Sequence, residues 1–176
     1  MLSLAACSAG GLGASRDNPY APAVDPRGEA VDGLIVGHRL MEAGQYDLAL
    51  KNFTRAAGEH GLTGEVLVAL GSANLALGRL NQSEELLRRA VKAEPDWPEA
   101  WNNLGVVLME RRKIPEASEI FKRAYALDNG ESDAIRDNLR LALEKVENSL
   151  YDNVNEQDYK LVRRGSSQYL IRRVPG

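Results

Sequence analysis

The chain has 176 residues, 44% of them hydrophobic, which suits one globular domain with tails. Its single cysteine, Cys7, excludes a disulfide framework and a cysteine-built metal site. The formal net charge of −3 excludes no class of partner.

The first seven residues read MLSLAAC. Leu4-Ala5-Ala6-Cys7 resembles a bacterial lipobox, in which an aliphatic residue and two small residues precede the cysteine that takes the lipid. A full signal peptide has a basic n-region and an apolar stretch of about 7–15 residues. Only the six residues before Cys7 are present, and none is basic, so either the true start lies upstream or the leader has been trimmed. The alternative is a chance cysteine in an alanine-rich start. The tether, residues 8–29, favours the lipid reading: Ser8 to Gly28, SAGGLGASRDNPYAPAVDPRG, is rich in Gly, Ala, Pro and Ser and has little to bury. As a flexible tether it would span on the order of 25 Å. Ser8 follows the cysteine where an aspartate would favour inner-membrane retention. By that resemblance the expected location is the outer membrane, facing the periplasm.

From residue 30 the chain writes one 34-residue unit three times and begins it a fourth. Gly37, Gly71 and Gly105 fall in register, as do Ala49, Ser83 and Ala117, then Phe53, Leu87 and Phe121, then Ala56, Ala90 and Ala124. A fixed period with matched side-chain sizes is the signature of a helical repeat array. Within the third unit Trp101, Leu104, Gly105 and Leu108 line one stripe of a first helix. Ala117, Ile120, Phe121 and Ala124 line a second, after a turn at Arg111 to Lys113. The spacing predicts helices over 30–43, 46–59, 64–77, 80–93, 98–111 and 114–127. Gly44, Gly61, Gly78, Pro95 with Pro98, and Asn129-Gly130 mark the breaks. Small residues at Gly105 and Ala117 predict a close helix crossing, with Phe121 and Trp101 beside it. A helix over residues 132–147 has no partner helix after it and carries charges between its apolar positions, which suits a solubilising cap. The units are 30–63, 64–97 and 98–131, and 148–176 is a basic tail.

These residues resemble the tetratricopeptide repeat, whose pattern is W-x2-L-G-x2-Y, then A-x3-F, A and P. Trp101, Leu104, Gly105, Ala117, Phe121 and Ala124 match it, while Leu108 replaces the usual tyrosine and Asn129 the usual proline. The resemblance implies an all-α, right-handed solenoid of three helix pairs plus a capping helix. It also implies a concave protein-binding groove lined by repeat positions 2, 5, 9 and 12. Among these the candidate groove residues are Leu34, His38, Met41, Val68, Ser72, Leu75, Asn102, Val106, Met109, Arg136 and Arg140. Such a mixed groove suits an extended or helical peptide. It could equally pack against the N-terminal tether or the C-terminal tail. The family's clamp for chaperone tails needs Lys and Asn at positions 5 and 9 of the first repeat. Leu34 and His38 stand there, against that ligand class.

The tail contains YKLVRR and QYLIRRV, joined by Gly165-Ser166-Ser167. Both arms favour β structure, which predicts a short hairpin or two extended arms. From Tyr159 onward Lys160, Arg163, Arg164, Arg172 and Arg173 meet no acid, a charge of +5 that leaves −8 on the rest. Such a tail either folds back on the acidic array or offers an edge strand or basic contact to a partner.

No catalytic signature is present: no HExxH, GxSxG, P-loop or paired-carboxylate motif, and the two histidines, His38 and His60, read as surface or packing residues. No enzyme activity, cofactor, metal, small-molecule substrate or nucleic-acid partner is expected. Lipobox, repeats, cap and tail together resemble the TadD family of lipoproteins from tight-adherence (Flp) pilus assembly. That resemblance implies a pilotin-like factor that binds the outer-membrane secretin or another pilus assembly component. The alternatives are an assembly factor for type IV pili or β-barrel insertion, and a regulatory subunit of a periplasmic peptidoglycan enzyme.

Overall fold

The structure, a computed structural model, describes residues 31–148, 159–165 and 168–173. Cys7, the 8–29 tether and the polar opening of the tail lie outside them. Seven helices run in order: α1 (Gly33–Glu42), α2 (Tyr46–His60), α3 (Gly64–Ala76), α4 (Leu80–Ala93), α5 (Pro98–Glu110), α6 (Ile114–Asp128) and α7 (Asp133–Asn148). Two antiparallel strands follow, β1 (Tyr159–Arg164) and β2 (Gln168–Arg173). The first helix begins three residues later than the periodicity predicts. Asp32 supplies the reason: its carboxylate accepts a hydrogen bond from the Leu34 N–H at 2.7 Å and caps the helix there.

Each helix pair turns in the same way. After α1, the Gly44 N–H donates to the Met41 carbonyl and the Gln45 N–H to the Leu40 carbonyl. Gly78 and Arg79 repeat this after α3, and Arg112 and Lys113 after α5. The geometry satisfies the last helical carbonyls and requires a left-handed residue. Glycine supplies it at φ 72° and 71° in the first two repeats, and Arg112 adopts φ 62° in the third.

The three matched glycines have a direct packing cause. A Cβ on Gly105 would lie 2.5 Å from Cε1 of Phe121, and one on Gly71 would lie 2.7 Å from Cγ of Leu87. Gly37 meets the ring of Phe53 in the same way. The large side chain of the second helix therefore sits directly over the glycine of the first. Phe53, Leu87 and Phe121 are fully buried, each contributing about 1.5–3 kcal/mol of apolar burial. Ser83 keeps the small-residue position and adds a bond, its hydroxyl donating to the Gly71 carbonyl at 2.8 Å. Trp101 lies beside the crossing, half-buried. Its indole N–H donates to the Pro95 carbonyl at 2.8 Å, and the Arg123 guanidinium stands 5.9 Å from its ring centroid.

Adjacent repeats are also joined by charge. Glu84 of α4 is buried, with Arg111 at 2.6 Å, Lys113 at 2.9 Å and Arg88 at 2.8 Å. Arg88 also pairs with Glu116. Burial pushes the Glu84 carboxyl up, but hydrogen bonds from Lys113 and Arg88 outweigh it, and the net shift is down. A lowered carboxyl stabilises the fold above its ordinary value of 4.5, and that contribution is lost as pH falls through its folded value. Glu84→Gln is expected to cost about 2 kcal/mol at pH 7. In urea titrations the gap from wild type should close with acidification, because a protonated Glu84 resembles the amide. A gap that stays constant with pH would refute the ionic account.

Candidate functional site

The first helices of the repeats form an inner row: α1 touches α3, α3 touches α5 and α5 touches α7. This is why α3, GEVLVALGSANLA, is apolar almost all round and buried from Val66 to Leu75. It has helices on several sides. β2 lies on this inner row, against α5 and α7.

Two buried carboxamides, Asn102 and Asn138, hold the strand, and a third, Asn103, lies beside them. Asn138 Nδ2 donates to the Tyr169 carbonyl at 2.6 Å, and the Ile171 N–H donates to Asn138 Oδ1 at 2.9 Å. One side chain thus pairs with the backbone of two alternate strand residues, as a neighbouring strand would. Asn102 Nδ2 donates to the same Tyr169 carbonyl at 3.3 Å, and Asn138 Nδ2 also donates to Asn102 Oδ1 at 2.9 Å. Asn103 extends the network, donating to the Ser72 hydroxyl at 3.3 Å. All three carboxamides are fully buried, where leaving any polar atom unpaired is costly. The Tyr169 hydroxyl crosses to α3 and donates to the Ser72 carbonyl at 3.0 Å. At the hairpin turn, the Ser132 hydroxyl donates to Gln168 Oε1 at 3.4 Å. Tyr169, Leu170 and Ile171 are buried to between 3% and 5% exposure.

The candidate groove residues divide accordingly. Leu34, Met41, Val68, Ser72, Leu75, Asn102, Val106 and Met109 are buried. His38 is half-buried, its ring edge-on to Phe53 with centroids 5.2 Å apart. Arg136 and Arg140 are exposed and pair along α7 with Asp133 and Asp137. The α7 side chain that hydrogen-bonds to the β2 backbone is Asn138, two places beyond Arg136. The sequence carries its signal: α7 buries Ala134, Ile135, Leu141 and Ala142, and Asn138 is a carboxamide on that apolar stripe. Asn103 is similarly a polar residue inside a buried helix face. His60 is exposed and contacts the Asp32 carboxylate at 3.1 Å. Burial raises the Glu110 carboxyl at the end of α5, against partial opposition from Arg112 and Lys145.

Among the described residues no cluster of three or more His, Cys, Asp or Glu is placed to hold a metal. No helix among them is long and apolar enough to cross a membrane.

A family model described as tetratricopeptide repeat matches residues 37–96 and 68–132. The chain belongs to the tetratricopeptide repeat family. Its repeats form the all-α, right-handed solenoid of that family, with the C-terminal hairpin as an addition. Among solved structures, the tetratricopeptide domain of Sgt2 from Aspergillus fumigatus matches with TM-score 0.66 and 22% identity, over 77% of this chain and 90% of that one. The first repeat domain of Spaghetti (RPAP3), bound to an HSP90 peptide, matches with TM-score 0.62 and 18% identity, over 65% and 93%. MamA matches with TM-score 0.59 and 21% identity, over 65% and 67%. These likenesses establish the fold, and tetratricopeptide scaffolds are in general non-catalytic and protein-binding.

Proposed function

We propose that this chain is a non-catalytic, protein-binding lipoprotein that acts as a pilotin-like assembly factor for the secretin of a tight-adherence (Flp) pilus. The observation that carries the protein-binding part is the tetratricopeptide array itself, a protein-binding scaffold in general. Its inner face holds the chain's own strand β2 through Asn102 and Asn138. A related fold bound to a peptide supports a protein partner as well. Leu34 and His38 stand where the chaperone-tail clamp of the family has Lys and Asn, which argues against that class of partner. The pilus assignment rests on the sequence: the Leu4-Ala5-Ala6-Cys7 lipobox, three repeats with a cap, and the YKLVRR and QYLIRR tail, together as in the TadD family. In this reading acylated Cys7 anchors the protein to the outer membrane, facing the periplasm, and the array escorts secretin subunits to it.

The test is a deletion in the native host. Outer-membrane fractions should lose the denaturant-resistant secretin multimer. Wild type should restore it, and Cys7→Ser should fold normally, leave the membrane fraction and fail to restore it. A normal multimer in the deletion strain would overturn the reading and turn the search to other envelope machines or peptidoglycan enzymes. Cys7→Ser protein that stays with the membrane would remove the lipid anchor.

A further inference from the structure

β2 is fixed along its outer edge by Asn102 and Asn138, and the other backbone edge of the hairpin is that of β1. The register fixes which groups lie there. Leu161 pairs with Ile171 and Arg163 with Tyr169. Tyr169 and Ile171 send their carbonyl and N–H away from β1 to the carboxamides. In an antiparallel ladder, directly opposed residues share this orientation, so the N–H and C=O of Tyr159, Leu161 and Arg163 point away from β2. Among the described residues no strand pairs with them.

We infer that the outer edge of β1 is a docking site for an acidic, strand-forming segment of a protein partner, which adds to the hairpin as a third strand. An isolated hairpin is a poor template because it is marginal in water. This one is seated by buried Tyr169, Leu170 and Ile171, so the edge is presented ready-made and binding need not order it. Main-chain bonds along such an edge give affinity, and side chains give selectivity.

Charge selects the occupant. The strands hold Lys160, Arg163, Arg164, Arg172 and Arg173 and no acid. The contacts that seat β2 are apolar and amide contacts, and Arg172 is exposed. A second copy pairing edge to edge would oppose two β1 strands of charge +3 each, and like charges directly across a ladder are destabilising. An anionic lipid surface would meet the charge but offers no regularly spaced row of alternating donors and acceptors to match a strand edge. An acidic strand meets both requirements.

This inference rests on the protein-binding reading and names the chemistry of the partner segment. The test uses the full chain carrying Cys7→Ser, so that it is soluble, and a short synthetic peptide alternating glutamate with valine. The peptide should bind, and the Leu161 and Arg163 amides should become protected from hydrogen exchange. Leu161→Pro removes an outward N–H without touching the β1–β2 ladder and should weaken binding by about tenfold, whereas Leu161→Ala should not. A triple Lys160→Glu, Arg163→Glu, Arg164→Glu chain should lose the peptide too. Equal binding of a lysine–valine peptide, unprotected amides, or binding only to phosphatidylglycerol vesicles would overturn the inference. A basic edge that binds nothing would be a guard against self-association and would overturn it as well. The secretin reading is tested separately: if the multimer still depends on this protein while the peptide fails, only the edge site is lost.

Discussion

Gly105→Leu is expected to cost about 3 kcal/mol or more and to lower the melting temperature by roughly 10 °C. Even a methyl at this position would lie 2.5 Å from the Phe121 ring, and three further carbons would follow it. Phe121 is fully buried, so its ring can yield only by displacing packed neighbours. The helix pair α5–α6 must therefore spread, and it sits inside an array where each pair supports the next. Gly71→Leu should behave likewise against Leu87. Gly58 provides the control. It lies within α2, is exposed, and a methyl added there would meet nothing within 4 Å. Gly58→Ala should stabilise by about 0.5–1 kcal/mol, because only the entropy of the unfolded chain and helix propensity change. Thermal melts of the three variants check this. An unchanged melting temperature for Gly105→Leu would refute the packing argument, and a loss at Gly58→Ala would refute the propensity argument.

The repeat array was legible in the sequence because its physics is itself repeated. Gly37, Gly71 and Gly105 solve one steric problem three times, so a period of 34 shows the solution without any contact being known. The turns repeat as well, and Arg112 stands in a left-handed position that Gly44 and Gly78 fill elsewhere. The hairpin was legible only as two β-favouring arms about a glycine turn. Its seat was not. Asn102 and Tyr169 are 67 residues apart, and the Tyr169 hydroxyl reaches Ser72 across 97 residues. Contacts of that range do not recur from unit to unit and leave no period. What they did leave was local inconsistency, with Asn138 on an apolar stripe and Asn102-Asn103 in a buried helix. Buried carboxamides without a visible partner in sequence are where such a strand should be sought. The 34-residue register pointed to Arg136 and Arg140 instead because it assumes an open groove at the cap. In this chain the last inner helix faces a strand and meets it with a different residue.

That strand is expected to come loose when Asn138 is replaced. Asn138→Leu keeps the volume close but removes a donor and an acceptor at once. The Ile171 N–H and Asn102 Oδ1 lose the partners they have at 2.9 Å, while the Tyr169 carbonyl keeps only the 3.3 Å contact to Asn102. Two buried groups left unpaired cost about 3 kcal/mol, and a hairpin without its seat has little stability of its own. The undocked population should rise about a hundredfold. Limited trypsin digestion should report it as faster cleavage at Arg163, Arg164 and Arg172, with the helical circular dichroism retained. Asn138→Asp separates hydrogen bonding from size. It still accepts from Ile171, yet it sets a carboxylate oxygen against the Tyr169 carbonyl and Asn102 Oδ1, so it should release the hairpin too. Unchanged cleavage in both variants would mean that Tyr169, Leu170 and Ile171 hold the strand by apolar burial alone. Loss of the helices together with the hairpin would mean that β2 belongs to the cooperative core of the array. Its edge would then be a fixed feature of the protein, present whenever the repeats are folded.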